Sequence, residues 1–351
     1  MTLTAQTDHR PAVDAPRCPA GFTAGGIAAG LKPSGRPDLA VILAPGGASG
    51  AAMLTTNAVR AAPLEVTARH LAIAPGRVRA LLINAGCANA ATGADGLRRA
   101  ETTVTALAHA LGCEPEQVLV NSTGVIGVPL PDDRIVAAVD ELLGRTDEAR
   151  LGDAAEAILT TDTRPKWAEA SGDGFRVAGI VKGAGMIHPD MAPAVPSGPP
   201  HATMIGALLT DAAVEPDRLQ AMLADACERT FHRLSVDGDT STNDAVFALA
   251  SGGAGVVDES ALAEAMTMVC RSLARQVARD GEGASRLLTV RVTGAADDAD
   301  ARTVAETVGR SLLVRTAVAG GDPNWGRIIA AVGRSGVPLD LDRLRLVADR
   351  V

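Results

Sequence analysis

Residues 182–212 read "KGAGMIHPDMAPAVPSGPPHATMIGALLTDA". Five prolines, Pro189, Pro193, Pro196, Pro199 and Pro200, fix φ and remove backbone donors, so this stretch continues no helix and fits no central strand. It has to loop out. Immediately before it, "FRVAGIVKGAGMI" (175–187) reads as a strand running into a glycine-rich turn. Immediately after it, "TMIGALLTDA" reads as a strand beginning at Thr203. Two apolar strands joined by a rigid loop place a sheet at the centre of the chain. A threonine at a strand start is ordinary on position alone. The alternative is that the loop presents the bond before Thr203 for chemistry.

Working outward, "LAVILA" (39–44) and "RALLINAG" (79–86) are short apolar runs ending in turn residues, and "QVLVNSTGVIG" (117–127) is a strand leading into a polar turn. Helical spacing marks 96–112, about 132–144, 153–159, 216–230 and 259–280. Asp258 is the expected cap of the last of these. "RLLTVRVTG" (286–294) alternates as a half-buried strand, with helices following near 299–310 and from Trp325, where Asn324 is the expected cap. Strands and helices mix without a strict βαβ rhythm, which predicts an α+β fold of layered sheets covered by helices. A tail over 1–19, a main catalytic domain over 20–285 and a smaller α/β region over 286–351 are expected.

Composition narrows the function. Apolar residues make up 47% of the 351, aromatics 2%, and tyrosine is absent. The core is therefore aliphatic, and a base-stacking surface is not expected. A net charge of −8 argues against a phosphate-backbone partner. No apolar run is long enough to span a bilayer, and the N-terminus lacks a signal-peptide core. The five cysteines, Cys18, Cys87, Cys113, Cys227 and Cys270, form no CxxC, and His9, His70, His109, His188, His201 and His232 show no ligand spacing. These features predict no metal, no nucleic acid, no membrane and a reducing cytoplasmic location.

Several polar strings carry chemistry. If the chain is cut before Thr203, the new α-amine, with a reference pKa of about 7.7–8.0, lies on the same residue as the hydroxyl it activates. Attack by that hydroxyl on the Ala202 carbonyl would make the cut. "NSTGVIG" (121–127) offers an oxyanion site from the Thr123 hydroxyl and the Gly124 N–H, or simply a turn. Lys182, before "GAG", can hold a carboxylate, and Glu282, in "DGEGAS" (280–285), can hold an amino group; either can equally be a solvated charge. "SVDGDTSTNDAV" (235–246) fails as a calcium loop, with Thr242 and Ala248 where Gly and Glu are needed, and reads as a hydrogen-bonded turn.

"NAGCANAATG" (84–93), "NSTGVIG", "LTTDTRPK" (159–166), "KGAGMIHPDM…ATM", "SVDGDTSTND", "DGEGAS" and "DPNWGRIIAAVG" (322–333) stand in the order found in the ornithine acetyltransferase family, the glutamate N-acetyltransferases of arginine biosynthesis. The chain resembles that family over roughly residues 20–345. The resemblance implies a self-processing, N-terminal-nucleophile-like fold of the DmpA and ornithine acetyltransferase type. It implies cleavage between Ala202 and Thr203 into associated α and β chains, two of each. Thr203 would carry acetyl from N2-acetylornithine to glutamate, with Thr123 and Gly124 as the oxyanion pair. Thr160, Lys182, Thr203 and Glu282 would contact substrate. No bound cofactor is implied; some members also accept acetyl-CoA as a co-substrate, and the sequence leaves that use open.

Two departures stand out. "PAVPSGPPHA" (193–202) is inserted ahead of Thr203, where the family runs straight through "MAT", and retained cleavage is still expected. The chain also stops at "LRLVADRV" (344–351), short of family segments that contact substrate. Three alternatives remain: a Thr-nucleophile amidohydrolase, a specialised-metabolism acyltransferase, and an uncleaved inactive relative that only binds.

Overall fold

The structure, a computed structural model, describes residues 2–6, 14–193 and 203–349. It divides into two units, Val13–Asp280 and Met1–Ala12 with Gly281–Val351.

In the larger unit, the described residues form a sheet of nine strands. Its order is Val118–Val125, Val78–Cys87, Leu39–Thr55, Ala245–Gly255, Ile205–Ala212, Phe175–Lys182 and Lys166–Gly172, with Thr23–Ile27 and Met191–Pro193 pairing onto Leu39–Thr55. The long strand Leu39–Thr55 ties two halves together. Residues 39–43 pair with Thr23–Ile27 and with the Val78 strand, whereas 49–54 pair with Ala245–Ala250. Between them, Pro45 and Gly46 are exposed and the register shifts, as expected where a bulge re-aims a strand.

Central strands here are buried on both faces, so they read as continuous apolar runs rather than alternating ones. Along Ile205–Ala212, Ile205, Ala207 and Leu209 enter one core while Leu208 and Ala212 enter another. Ala245, Phe247 and Leu249 likewise oppose Val246, Ala248 and Ala250. The first core draws on both halves of the sheet, with Ile42 and Ile83 meeting Ile180 and Phe247. The second is covered by the helices Pro216–Glu228 and Glu259–Arg279, through Leu219, Leu223, Met266 and Leu273. A third packs Val104 and Leu107 of the helix Gly93–Leu111 onto Val41 and Val120. The fold is thus α+β, with layered sheets covered by helices. With so few aromatics, all four phenylalanines, Phe22, Phe175, Phe231 and Phe247, are buried in these cores.

In the smaller unit, Thr2–Gln6 lies between Leu287–Arg291, antiparallel, and Val347–Asp349, parallel. Helices Asp298–Gly309, Leu312–Gly320 and Trp325–Gly333 enclose Val304, Val308, Val314 and Ile328.

The expected tail over 1–19 is therefore corrected at Thr2–Gln6, which is a strand. Five residues of weak alternation carry little local signal, and the partners lie at the far end of the chain. The expected division at 285/286 falls instead between Asp280 and Gly281, where the long helix ends. The strand expected to start at Thr203 starts at Ile205. The helix Ala62–Ile73, the strands Thr23–Ile27, Lys166–Gly172 and Ala245–Gly255, and the helix Leu312–Gly320 were not anticipated. Asp258 and Asn324 do cap their helices, accepting from Ser260 N at 2.8 Å and Arg327 N at 3.2 Å.

Candidate active site around Thr203

Sheet pairing builds the site. Lys182 ends the strand Phe175–Lys182 and pairs with Ile205, two residues beyond Thr203. Its side chain is 2% exposed as a residue and runs to three oxygens. Nζ donates to Thr160 Oγ1 at 2.7 Å, to Thr123 Oγ1 at 3.3 Å and to the Thr203 carbonyl at 3.5 Å. One ammonium thus gathers three threonines, widely separated in sequence, that sequence reading singled out.

Thr203 itself is half-buried and stands two residues before the strand Ile205–Ala212. The segment 241–245 grips it and its neighbour. Thr203 Oγ1 is in hydrogen-bond contact with Ser241 Oγ, Met204 N–H donates to the Asp244 carboxylate, and Ala245 N–H donates to the Met204 carbonyl at 2.9 Å. That segment is fixed in turn by Thr55, whose hydroxyl donates to the Ser241 carbonyl at 3.1 Å and whose N–H donates to the Asp244 carbonyl at 2.9 Å. Complete burial pushes the Asp244 carboxyl well above the carboxylate range, against the opposing pull of the Met204 N–H and Lys182.

Gly124 follows Thr123 on the strand Val118–Val125 and pairs with Gly86. Its φ is +134°, and a Cβ there would lie 2.3 Å from Gly86 C and 2.6 Å from Cys87 N. Only glycine fits this close approach. Gly124→Ala is expected to cost about 3 kcal/mol or more of stability, from backbone strain and overpacking together. A shift of the urea midpoint measures it, and an unchanged midpoint would contradict the packing described.

A layer of amides supports this floor. Asn243 Nδ2 donates to the Ala88 and Ser122 carbonyls, both at 2.7 Å; Asn121 Nδ2 donates to the Asn243 carbonyl at 3.0 Å; and Ser122 Oγ donates to Asn84 Oδ1 at 2.6 Å. The strings around 84–93, 121–127 and 235–244, distant in sequence, are therefore one hydrogen-bonded unit.

Behind Lys182 lies a buried ionic chain. Asp162 is 3.8 Å from Lys182 Nζ, accepts from Gly183 N at 2.6 Å, and binds Lys166 Nζ at 2.7 Å, which in turn reaches Asp280 at 2.5 Å. Burial raises the Asp162 pKa, but Lys182 and Lys166 together outweigh it and hold the carboxyl down to about 2. That value lies below its ordinary 3.8, so the folded state binds the proton less readily than the unfolded chain. The stabilisation is complete above about pH 4 and is lost as pH falls toward about 2. In Asp162→Asn, the steepness of acid unfolding across that window is expected to diminish; a titration identical to the unmodified protein would show that Asp162 is not responsible.

Of the other expected residues, Glu282 is an exposed residue of the smaller unit. Ala202 lies outside the described residues. Sequence reading missed Ser241, Asp244, Asp162 and Lys32. The first two sat in a string read only as a turn, and Asp162 sat two residues from Thr160. Lys32 donates to the Pro37 and Ala157 carbonyls at 2.5 and 3.2 Å. Burial lowers its pKa to about 8, partly offset by Asp38 and reinforced by the charges of Arg36 and, to a smaller extent, Lys182. Nothing local in "GLKPSG" signals this. Asp237, in the string that fails as a calcium loop, accepts from Met186 N and Ile187 N at 2.6 and 2.9 Å. Among the described residues, no group of three or more His, Cys, Asp or Glu is arranged to hold a metal ion, and no helix is long and apolar enough to cross a membrane.

Comparison with known proteins places this chain in a family. The ArgJ family model matches residues 23–351. The arginine biosynthesis bifunctional protein ArgJ of Parasynechococcus marenigrum is 48% identical over 93% of this chain and 79% of its own length. That of Thermus thermophilus is 47% identical over 94% and 83%, and that of Thermobifida fusca 42% identical over 95% and 84%. A crystal structure of ornithine acetyltransferase from Mycobacterium tuberculosis, complexed with ornithine, is 37% identical and covers 54% of this chain and 100% of that one, with a TM-score of 0.49. With a family match extending over nearly the whole sequence and relatives this similar, the chain belongs to the ArgJ family.

Proposed function

We propose that the protein is a self-cleaving acetyltransferase of arginine biosynthesis, moving acetyl from N2-acetylornithine to glutamate through an acetyl ester on Thr203. The observation that carries this reading is the convergence of Thr123, Thr160 and Thr203 on the Lys182 ammonium. The relatives' shared designation as arginine biosynthesis bifunctional proteins supports the pathway.

The chemistry follows from the hydrogen-bond directions. Lys182 donates to Thr123 Oγ1, so the Thr123 hydroxyl keeps its own proton free to donate elsewhere. With the Gly124 N–H it makes two donors for a developing oxyanion. After cleavage, the Thr203 α-amine accepts the hydroxyl proton as Oγ1 attacks the acetyl carbonyl. The oxyanion collapses, the C–N bond of the donor breaks, and the departing ornithine amine takes the proton. The glutamate amine then attacks the ester and Thr203 recovers its hydroxyl. Lys182 and Lys32 supply cationic character suited to a substrate carboxylate, and Glu282 is assigned to a substrate amino group. In this reading the α and β chains stay together, two of each, in the cytoplasm. Acetyl-CoA as a second donor to Thr203 is the reading of "bifunctional", and neither a metal nor a bound cofactor is assigned a role.

Purified protein incubated with N2-acetylornithine alone should gain the mass of one acetyl group on the piece beginning at Thr203, and glutamate should remove it. Release of acetate without glutamate would replace this reading with a hydrolase. A single uncut chain that takes up no acetyl would leave only the binding relative.

A further inference from the structure

Self-cleavage poses a problem that transfer does not. Before the cut, the Thr203 nitrogen is an amide with no basic electron pair, so it cannot activate its own hydroxyl. Another group has to receive the proton. Lys182 directs three N–H donors at oxygens, as an ammonium does, and offers no acceptor. The Asp244 carboxyl holds Met204 N–H through Oδ1, and its other oxygen makes no hydrogen bond to the Thr203 hydroxyl. Among the described residues, the Thr203 hydroxyl makes its hydrogen-bond contact with Ser241 Oγ.

We propose that Ser241 is the proton relay for cleavage before Thr203; this rests on the self-cleavage reading above. A hydroxyl both accepts and donates, so it can pass a proton on without acquiring net charge. Thr203 Oγ1 forms a bond to the Ala202 carbonyl carbon while its proton passes to Ser241 Oγ. Ser241's own proton passes to the Thr203 nitrogen as the C–N bond breaks. The product is an ester between the Ala202 acyl group and Thr203 Oγ1, beside a free amine. Water then hydrolyses the ester to the Ala202 carboxylate and the Thr203 hydroxyl. No external base is consumed in the acyl shift. The placement of Ser241 favours this role, since the residue is 1% exposed and its main chain is pinned by Thr55. Bulk water therefore does not compete for the transferred proton.

Once the α-amine exists, it is a far stronger base than a hydroxyl and lies on the same residue as Oγ1. Ser241 then becomes less important, so the two reactions should respond differently to its loss. Full-length Ser241→Ala is expected to cut at least ~10²-fold more slowly than the unmodified chain, the scale of a lost general acid–base group. Ser241→Thr, which keeps a hydroxyl, should restore most of the rate. A second form of Ser241→Ala carries a factor Xa recognition sequence directly before Thr203. After factor Xa treatment of the folded full chain, acetyl transfer should be within ~10-fold of an unmodified chain prepared in the same way, a loss smaller than that of a general acid–base. Such transfer also shows that the variant folds. Cutting of Ser241→Ala at the unmodified rate overturns the proposal. Equal losses of cutting and transfer overturn it too, because Ser241 would then serve both reactions or only the fold. An unmodified chain that never cuts sinks the self-cleavage reading itself and this proposal with it.

Discussion

Thr203→Ala is expected to give a single full-length chain with no acetyl transfer. In the proposed mechanism the residue supplies the nucleophile for both reactions, and loss of a nucleophile costs roughly 10⁴-fold or more in turnover. The effect is chemical rather than structural. Thr203 is half-buried, and the clamps on its neighbour, the Asp244 carboxyl and the Ala245 N–H, act on Met204 and are untouched by the change. Stability should therefore stay within about 1 kcal/mol of the unmodified protein. Thr203→Ser retains the hydroxyl and should retain cutting. Intact mass together with an acetyl-transfer assay decides the matter: transfer by Thr203→Ala at the unmodified rate would remove the nucleophile from this account.

Lys166→Met is expected to be the most destabilising of these substitutions, by about 3–5 kcal/mol, because it removes the cation that bridges two buried carboxylates at hydrogen-bond distance. Lys166 is completely buried and bonds Asp162 at 2.7 Å and Asp280 at 2.5 Å. Such a loss is a large share of a typical total stability of about 5–15 kcal/mol. The surface pair Arg17 and Glu148, at 3.0 Å but 62% and 59% exposed, should by contrast contribute less than about 1 kcal/mol. Urea unfolding of Lys166→Met and Arg17→Met in a Thr203→Ala background avoids interference from chain cutting. Equal effects from the two substitutions would show that burial does not set the strength of these pairs. The consequence reaches the site as well. Asp162 lies 3.8 Å from Lys182 Nζ, so loosening it should misplace the ammonium that gathers the threonines.

Much of the sheet was legible because its strands are buried on both faces. Runs such as "LAVILA" and "ALLTDA" then need no partner to be recognised. The helix Glu259–Arg279 was legible for a related reason, since its cap and its apolar period are both local. Ala245–Gly255 was missed because its leading residues follow a polar string that looked like one continuous turn. Thr2–Gln6 was missed because pairing across almost the whole chain leaves no local mark.

The sequence by itself determined the two strands that flank residues 183–204, the aliphatic character of the core, and the identities of Thr123, Gly124, Thr160, Lys182 and Thr203 as residues to watch. Those features depend on local pattern, on composition and on strings of fixed order. Only the tertiary structure decided that the three threonines share one lysine, that Ser241 faces the Thr203 hydroxyl, and that Asp162 and Lys166 continue the charge chain to Asp280. Hydrogen bonds and ion pairs act over a few ångströms between groups that sheet pairing brings together from distant parts of the chain, and no spacing along the chain encodes that distance.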